Sequence, residues 1–102
     1  MASVHAYVAE KMEDSTAVKV SYKLLDLSSL EGIRQAVARW INDDNDDLPA
    51  ITCLVNNAGI MALPRRQVTL DGYERQMATN HLGHFCLTAC LAPKLTRDAR
   101  IV

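Results

Sequence analysis

Asn56-Asn57-Ala58-Gly59 directly follows an unbroken apolar run, Ile51 to Val55, and is the first segment of this 102-residue chain with the makings of a site. Carboxamides offer two donors and an acceptor, so paired Asn residues can cross-link neighbouring strand ends. Ala and Gly leave room for a large planar or ribose-like ligand to approach the main chain. Asn and Gly also end strands with no ligand involved. Average residue usage, however, puts this tetrapeptide in roughly one chain in a thousand of this size. The second candidate is Asn80, which falls between Met77 and His84 on the apolar face of a helix pattern, with Gly83 three residues on. A buried amide must be satisfied, and a helical Gly costs about 1 kcal/mol relative to Ala unless close contact requires it. His81 and His84 lie three apart with Cys86 near, but zinc needs further converging ligands and His81 falls off the inner face, so no metal site is expected. Arg65-Arg66 reads as a solvated loop pair.

These residues need elements to hold them. Ala2 to Lys11 reads as a short helix. Val18 to Leu25 is rich in strand formers and reads as a strand ending at Asp26. Ser28-Ser29-Leu30-Glu31 has capping-box spacing, with Ser28 as acceptor and Glu31 reaching back. Leu30, Ile33, Val37, Trp40 and Ile41 then give one apolar stripe over about Ser29 to Asn42. Asn42 to Asp47 is an acidic loop; it lacks the alternate ligands, central Gly and closing Glu of an EF-hand and reads as solvated. Ile51 to Val55 reads as a strand buried on both faces. A long helix is expected from Thr69 or Leu70 to Leu95, its inner face being Tyr73, Met77, Asn80, His84, Leu87 and Leu91, and Arg100-Ile101-Val102 as the opening of another strand. This alternation argues for α/β architecture with parallel strands and crossovers.

Composition narrows the function classes. The hydrophobic fraction is 49%, the charged fraction 23% and the net charge -1, an ordinary globular mixture with no basic excess for nucleic acid. Cys53, Cys86 and Cys90 sit in apolar runs and read as reduced core thiols. Cys86 and Cys90, one helical turn apart, are expected to pack. The N-terminus lacks a signal-peptide pattern, and no run reaches the roughly 20 apolar residues of a membrane helix. The expected location is the cytoplasm, with no membrane segment.

Val55-Asn56-Asn57-Ala58-Gly59-Ile60-Met61, Asp71-Gly72-Tyr73-Glu74 and Asn80-His81-Leu82-Gly83-His84-Phe85 together resemble the middle third of the short-chain dehydrogenases/reductases, nearest their retinol-dehydrogenase-like group. Asp26-Leu27 is similar to that family's pair at the end of its third strand. The resemblance runs from about Val18 to Val102. It implies a partial Rossmann fold (the family's third strand, a helix, the fourth strand, a long helix and the start of the fifth), with residues 1–102 as one incomplete NAD(P)-binding domain.

The resemblance further implies a nicotinamide dinucleotide, NAD or NADP, with NADP favoured. Asp26 would meet the adenine amino group and Leu27 would contact the ring through its backbone. Asn56, Ala58, Gly59 and Ile60 would line the ribose and pyrophosphate side. Asn80 would join the catalytic set, its backbone holding a proton-relay water. The family's TGxxxGxG turn has no counterpart before Val18. Its catalytic Ser and Tyr-x-x-x-Lys pair belong after the strand that opens at Ile101. The expected function is therefore that of a fragment of an NAD(P)-dependent alcohol/carbonyl oxidoreductase, inactive alone. In this arrangement Val18–Leu25 should lie beside Ile51–Val55 in parallel. The alternative is a non-catalytic module that docks, as a dimer or on a partner, through the Leu70–Leu95 helix.

Overall fold

The computed structural model describes residues 3–4, 19–42 and 48–102. Two strands, β1 (Ser3–Val4) and β2 (Leu25–Asp26), pair antiparallel, with Val4 opposite Leu25. Helix α1 (Leu30–Asn42) follows, then β3 (Ile51–Leu54). A continuous helical rod comprises α2 (Arg75–Met77), a π segment (Ala78–Leu82) and α3 (Gly83–Leu91). A 3-10 turn, Ala92–Lys94, leads into β4 (Leu95–Ile101). The strand β4 lies parallel to β3, with Cys53 opposite Arg100 and Leu54 opposite Ile101. The architecture is α/β, a partial Rossmann fold with a small parallel sheet.

Several expectations are corrected. The strand expected at Val18–Leu25 is reduced to Leu25–Asp26, and it pairs antiparallel with β1 instead of parallel with Ile51–Val55. Residues 19–24 have strand-forming side chains, yet Tyr22 and Leu24 are exposed. A strand is held by a ladder and a covered face, and among the described residues neither is present there. Of the helix expected at Ala2–Lys11, Ser3–Val4 is strand and the remainder lies outside the described residues, as does the acidic stretch 43–47. Ile51–Val55 is not buried on both faces: Thr52, Cys53 and Val55 are exposed, so Cys53 is not a core thiol. The last strand starts five residues before Arg100, at Leu95, because Pro93 turns the chain out of the rod.

The caps also differ in detail. Ser29, not Ser28, caps α1 by accepting from the Gly32 N–H at 3.0 Å, while Ser28 donates its N–H and hydroxyl to Asp26 Oδ1. Glu31 does not reach back; it accepts from Gln35 and pairs with Arg34 along the exposed face. The Leu30 N–H is taken by Asp71 Oδ2 at 3.0 Å, which ties the loop before the rod to the start of α1. The rod starts at Arg75 and not at Thr69 or Leu70. Gly72 takes a positive φ of 88° inside a tight turn closed by Thr69 and Tyr73, and Glu74 caps α2 by accepting from the Gln76 and Met77 N–H groups.

The core forms where α1 meets α3. Leu27, Ile33, Val37 and Leu91 are buried, flanked by Trp40, Leu54, Leu87 and Cys90 among others. Gly83 sets the approach. A Cβ there would run into the Leu27 carbonyl oxygen and lie 3.0 Å from Leu27 Cβ. The absence of a side chain lets the rod rest on the turn after β2.

Gly83→Ala would normally favour a helix by about 1 kcal/mol. Here the obstacle is backbone, which cannot swing away, so the substitution should lower stability by about 1–3 kcal/mol, read from the urea midpoint. Glu74 has its carboxyl held below the ordinary 4.5 by the Met77 and then the Gln76 N–H. A depressed pKa means the cap is complete above the ordinary value and is lost as pH falls through the lowered one. The Gln76 and Met77 amide NMR shifts should therefore titrate with a midpoint below 4.5, and Glu74→Gln should abolish that titration.

Candidate functional site

The site is built where the chain leaves the carboxyl end of β3. Asn56 continues the ladder: its N–H donates to the Val102 carbonyl at 2.7 Å, and the Val102 N–H donates to Leu54 at 2.9 Å. Its side-chain Nδ2 donates to Thr88 Oγ1 on α3 at 3.1 Å. From there residues 57–60 cross the face of the rod.

Two side chains on the rod hold this crossing. The Asn80 carboxamide makes a reciprocal pair with Ile60: Oδ1 accepts its N–H at 2.8 Å and Nδ2 donates to its carbonyl at 2.8 Å. One turn on, His84 Nε2 lies 2.7 Å from the Ala58 carbonyl. A carbonyl only accepts, so Nε2 carries a proton and donates it to Ala58. Gly59 sits between these two anchors, where an added Cβ would stand 3.1 Å from Asn80 Oδ1. Beyond them Ala62 adopts φ 56°, a left-handed conformation that few non-glycine residues take.

Asn80 is exposed as a residue, not buried as the helical pattern suggested. The π segment is the reason. The Gly83 N–H bonds the Ala78 carbonyl five residues back, so the turn is wider than an α-turn. Buried positions then fall at Ala78, Thr79, Gly83 and Leu91, while Tyr73 and Met77 face solvent. Such single-turn widenings are frequent at functional sites.

The structure brings six of the seven candidate residues onto one helix. Asn56, Ala58 and Ile60 are bonded to side chains of the rod and Gly59 packs against Asn80, itself the fifth. Leu27 packs on Gly83. Asp26 is held less directly, its Oδ1 filled by Ser28 and its chain continuous with Leu27. Two contributors were missed in the sequence: His84 as the Ala58 anchor and Thr88 as the Asn56 anchor. His84 lay on the expected inner face, so its place was visible, but its partner was not. Tyr7 and Lys11 share the spacing of a Tyr-x-x-x-Lys pair, but they precede β2 and lie outside the described residues.

Beside the turn is a mostly apolar cavity of about 580 Å³, lined by Asn56, His84, Phe85, Thr88 and Ile101 among others. Among the described residues, Asn56 Oδ1, Thr79 Oγ1 and His84 Nδ1 are buried without a hydrogen-bond partner. On α3's opposite side, burial pushes the Cys86 thiol above its ordinary value, with Cys90 adding to the effect. Arg65 and Arg66 are exposed.

Comparison with known proteins places this geometry. A family model described as short chain dehydrogenase matches residues 2–102. Human retinol dehydrogenase 13 is 42% identical over 80 residues, 78% of this chain and 23% of that protein. Zebrafish (Danio rerio) polyprenol dehydrogenase is 40% identical over 95 residues, 93% of this chain and 28% of that protein. A crystal structure of an uncharacterised protein from Mycobacterium paratuberculosis superposes with a TM-score of 0.56 at 44% identity, covering 71% of this chain and 24% of the other. The chain spans about a quarter of the length of the relatives it matches.

Removing the Asn80 carboxamide should release the turn and leave the rod. Asn80→Ala gives up two hydrogen bonds, each contributing about 0.5–1.5 kcal/mol. Amide exchange at Ile60, followed by NMR, should accelerate about tenfold or more, while amides within α1 keep their protection.

Proposed function

The chain belongs to the short-chain dehydrogenase family, and on that footing we propose that residues 26–27 and 56–60 form the adenosine-side wall of a nicotinamide-dinucleotide site in a longer oxidoreductase acting on an alcohol or carbonyl. One observation carries the reading: a single helix holds both segments, Gly83 against Leu27 and Asn80 against Ile60. In open parallel sheets ligands bind beyond the carboxyl ends of the strands, which is where this turn stands.

The residues present fit the group. Asp26 Oδ1 is occupied by Ser28, and Oδ2, with no partner among the described residues, can accept from an exocyclic amino group. Leu27 offers its backbone edge to the ring. Asn56, Ala58, Gly59 and Ile60 supply the ribose and pyrophosphate side, with the exposed Asn57 and Gly59 leaving the turn open to a ligand. Bound there, the dinucleotide supplies the hydride acceptor or donor. Asn80 fixes the wall through its side chain. Its main chain, in a widened turn short of ordinary i+4 bonding, suits a relay water. NADP is preferred to NAD on the family resemblance, and the cytoplasm is the proposed location; among the described residues no helix is long and apolar enough to cross a membrane.

Hydride transfer needs a group that gives or takes a proton at the reacting oxygen. The amides here do not ionise, and the Nε2 proton of His84 is committed to Ala58. The described residues that hold this turn therefore form a binding wall without turnover of their own. A second reading, docking onto a partner or a second copy through the rod, draws on the exposure of Met77 (54%) and Phe85 (70%).

Isotope-labelled chain titrated with NADPH should show amide shifts concentrated at 26–27 and 56–60, with no NADPH oxidation when an aldehyde is added. Shifts elsewhere only, or none, would sink the wall, and turnover would sink the claim of inactivity. Concentration-dependent self-association with no NADPH response would favour docking.

A further inference from the structure

Cys86 and Cys90 stand one turn apart on α3, both half-buried, with sulfur atoms 4.0 Å apart. The Cys86 sulfur also lies 3.9 Å from the Leu30 carbonyl at the start of α1. Nothing in the dinucleotide wall uses either thiol. A disulfide is opposed by the helix, which keeps Cβ atoms four residues apart at about 5–6 Å, whereas a disulfide needs about 3.5–4.5 Å. A bridging ion removes that conflict. With metal–sulfur bonds of about 2.3 Å, one ion can reach two sulfurs 4.0 Å apart. A two-coordinate ion prefers the sulfurs nearly in line with it, which a small spreading of the two side chains about χ1 supplies.

The ligand count selects the ion. Among the described residues no group of three or more His, Cys, Asp or Glu side chains is placed to hold a metal. Among those residues tetrahedral zinc finds no further protein ligands. Thiolates select soft ions, Cu(I) among them, and Cu(I) is stable with only two sulfur ligands. We propose that Cys86 and Cys90 form a two-thiolate site for a soft monovalent ion, with Cu(I) as its probe. On binding, both thiols release protons to solvent, two copper–sulfur bonds form, and copper stays at +1, leaving a unit of charge -1. Burial of the Cys86 thiol is the main influence against this charge, with Cys90 and Asp71 adding to it, and Arg34 on the facing helix offsets part of it.

The test uses the full chain, reduced and free of oxygen, titrated with Cu(I) held by the coloured chelator bicinchoninate. One Cu(I) per chain should leave the chelator. Cys86→Ser and Cys90→Ser should each weaken that withdrawal at least tenfold, and Cys53→Ser should leave it unchanged, with far-UV circular dichroism reporting the fold of each variant. Without any substitution, alkylation read by mass spectrometry should show Cu(I) protecting Cys86 and Cys90 and leaving Cys53 reactive. No withdrawal, undiminished withdrawal by folded Cys86→Ser and Cys90→Ser chains, or protection of Cys53 in place of the pair would overturn the proposal.

Discussion

The contact between Gly83 and the Leu27 backbone is the constraint on which the other positions depend. Most helix-on-sheet contacts are spaced by side chains. Here the rod comes down directly on the turn that follows β2, at a distance no other residue permits. That approach brings Leu91, Leu87 and Cys90 onto α1 and closes the small core around Ile33 and Val37. It also sets the height of everything else on the rod. Asn80 and His84, either side of Gly83, then lie level with Ile60 and Ala58.

The π segment serves the same end by a different route. A regular α-helix would carry the face that holds Leu91 back to Asn80, burying the amide with no room for the 57–60 crossing. Widening one turn leaves Ala78 and Thr79 as the buried residues and turns the Asn80 carboxamide outward, where it meets a peptide unit with donor and acceptor both free. A carboxamide suits this task because it presents the mirror pattern of a peptide group. An aspartate would set oxygen against the Ile60 carbonyl, and an aliphatic residue would leave both groups to water. The neighbouring orphaned atoms, Asn56 Oδ1 and His84 Nδ1, border the apolar cavity, so the polar clamp and the apolar space share a wall.

What was legible beforehand and what was not divide along the range of the interactions. The stripe of Ile33, Val37 and Trp40 identifies α1 because helix periodicity is local. Asn56 to Gly59 and Asn80 stood out because an amide at a strand end or on an apolar helix face needs a partner somewhere. Residues 19–24 carry equally plain strand-forming types, yet they are not strand, since a strand exists only when another chain segment completes its ladder. The start of the rod was also misplaced. Thr69 and Leu70 are compatible with helix, but Gly72 in a tight turn and the Glu74 cap move the start to Arg75.

By itself, then, the sequence determined the element types with local periodicity, the identity of the turn after β3, and the family to which that turn belongs. Side-chain chemistry and spacing travel with the chain whatever its neighbours are. Only the tertiary structure decided which strands pair, that Ser29 and not Ser28 caps α1, and that His84 and Thr88 join Asn80 in holding the turn. The strand pairings and the two anchors depend on partners 21 to 47 residues distant. The anchors' positions follow from how closely a glycine lets two backbones meet and from one widened helical turn, and neither quantity is written in any single segment.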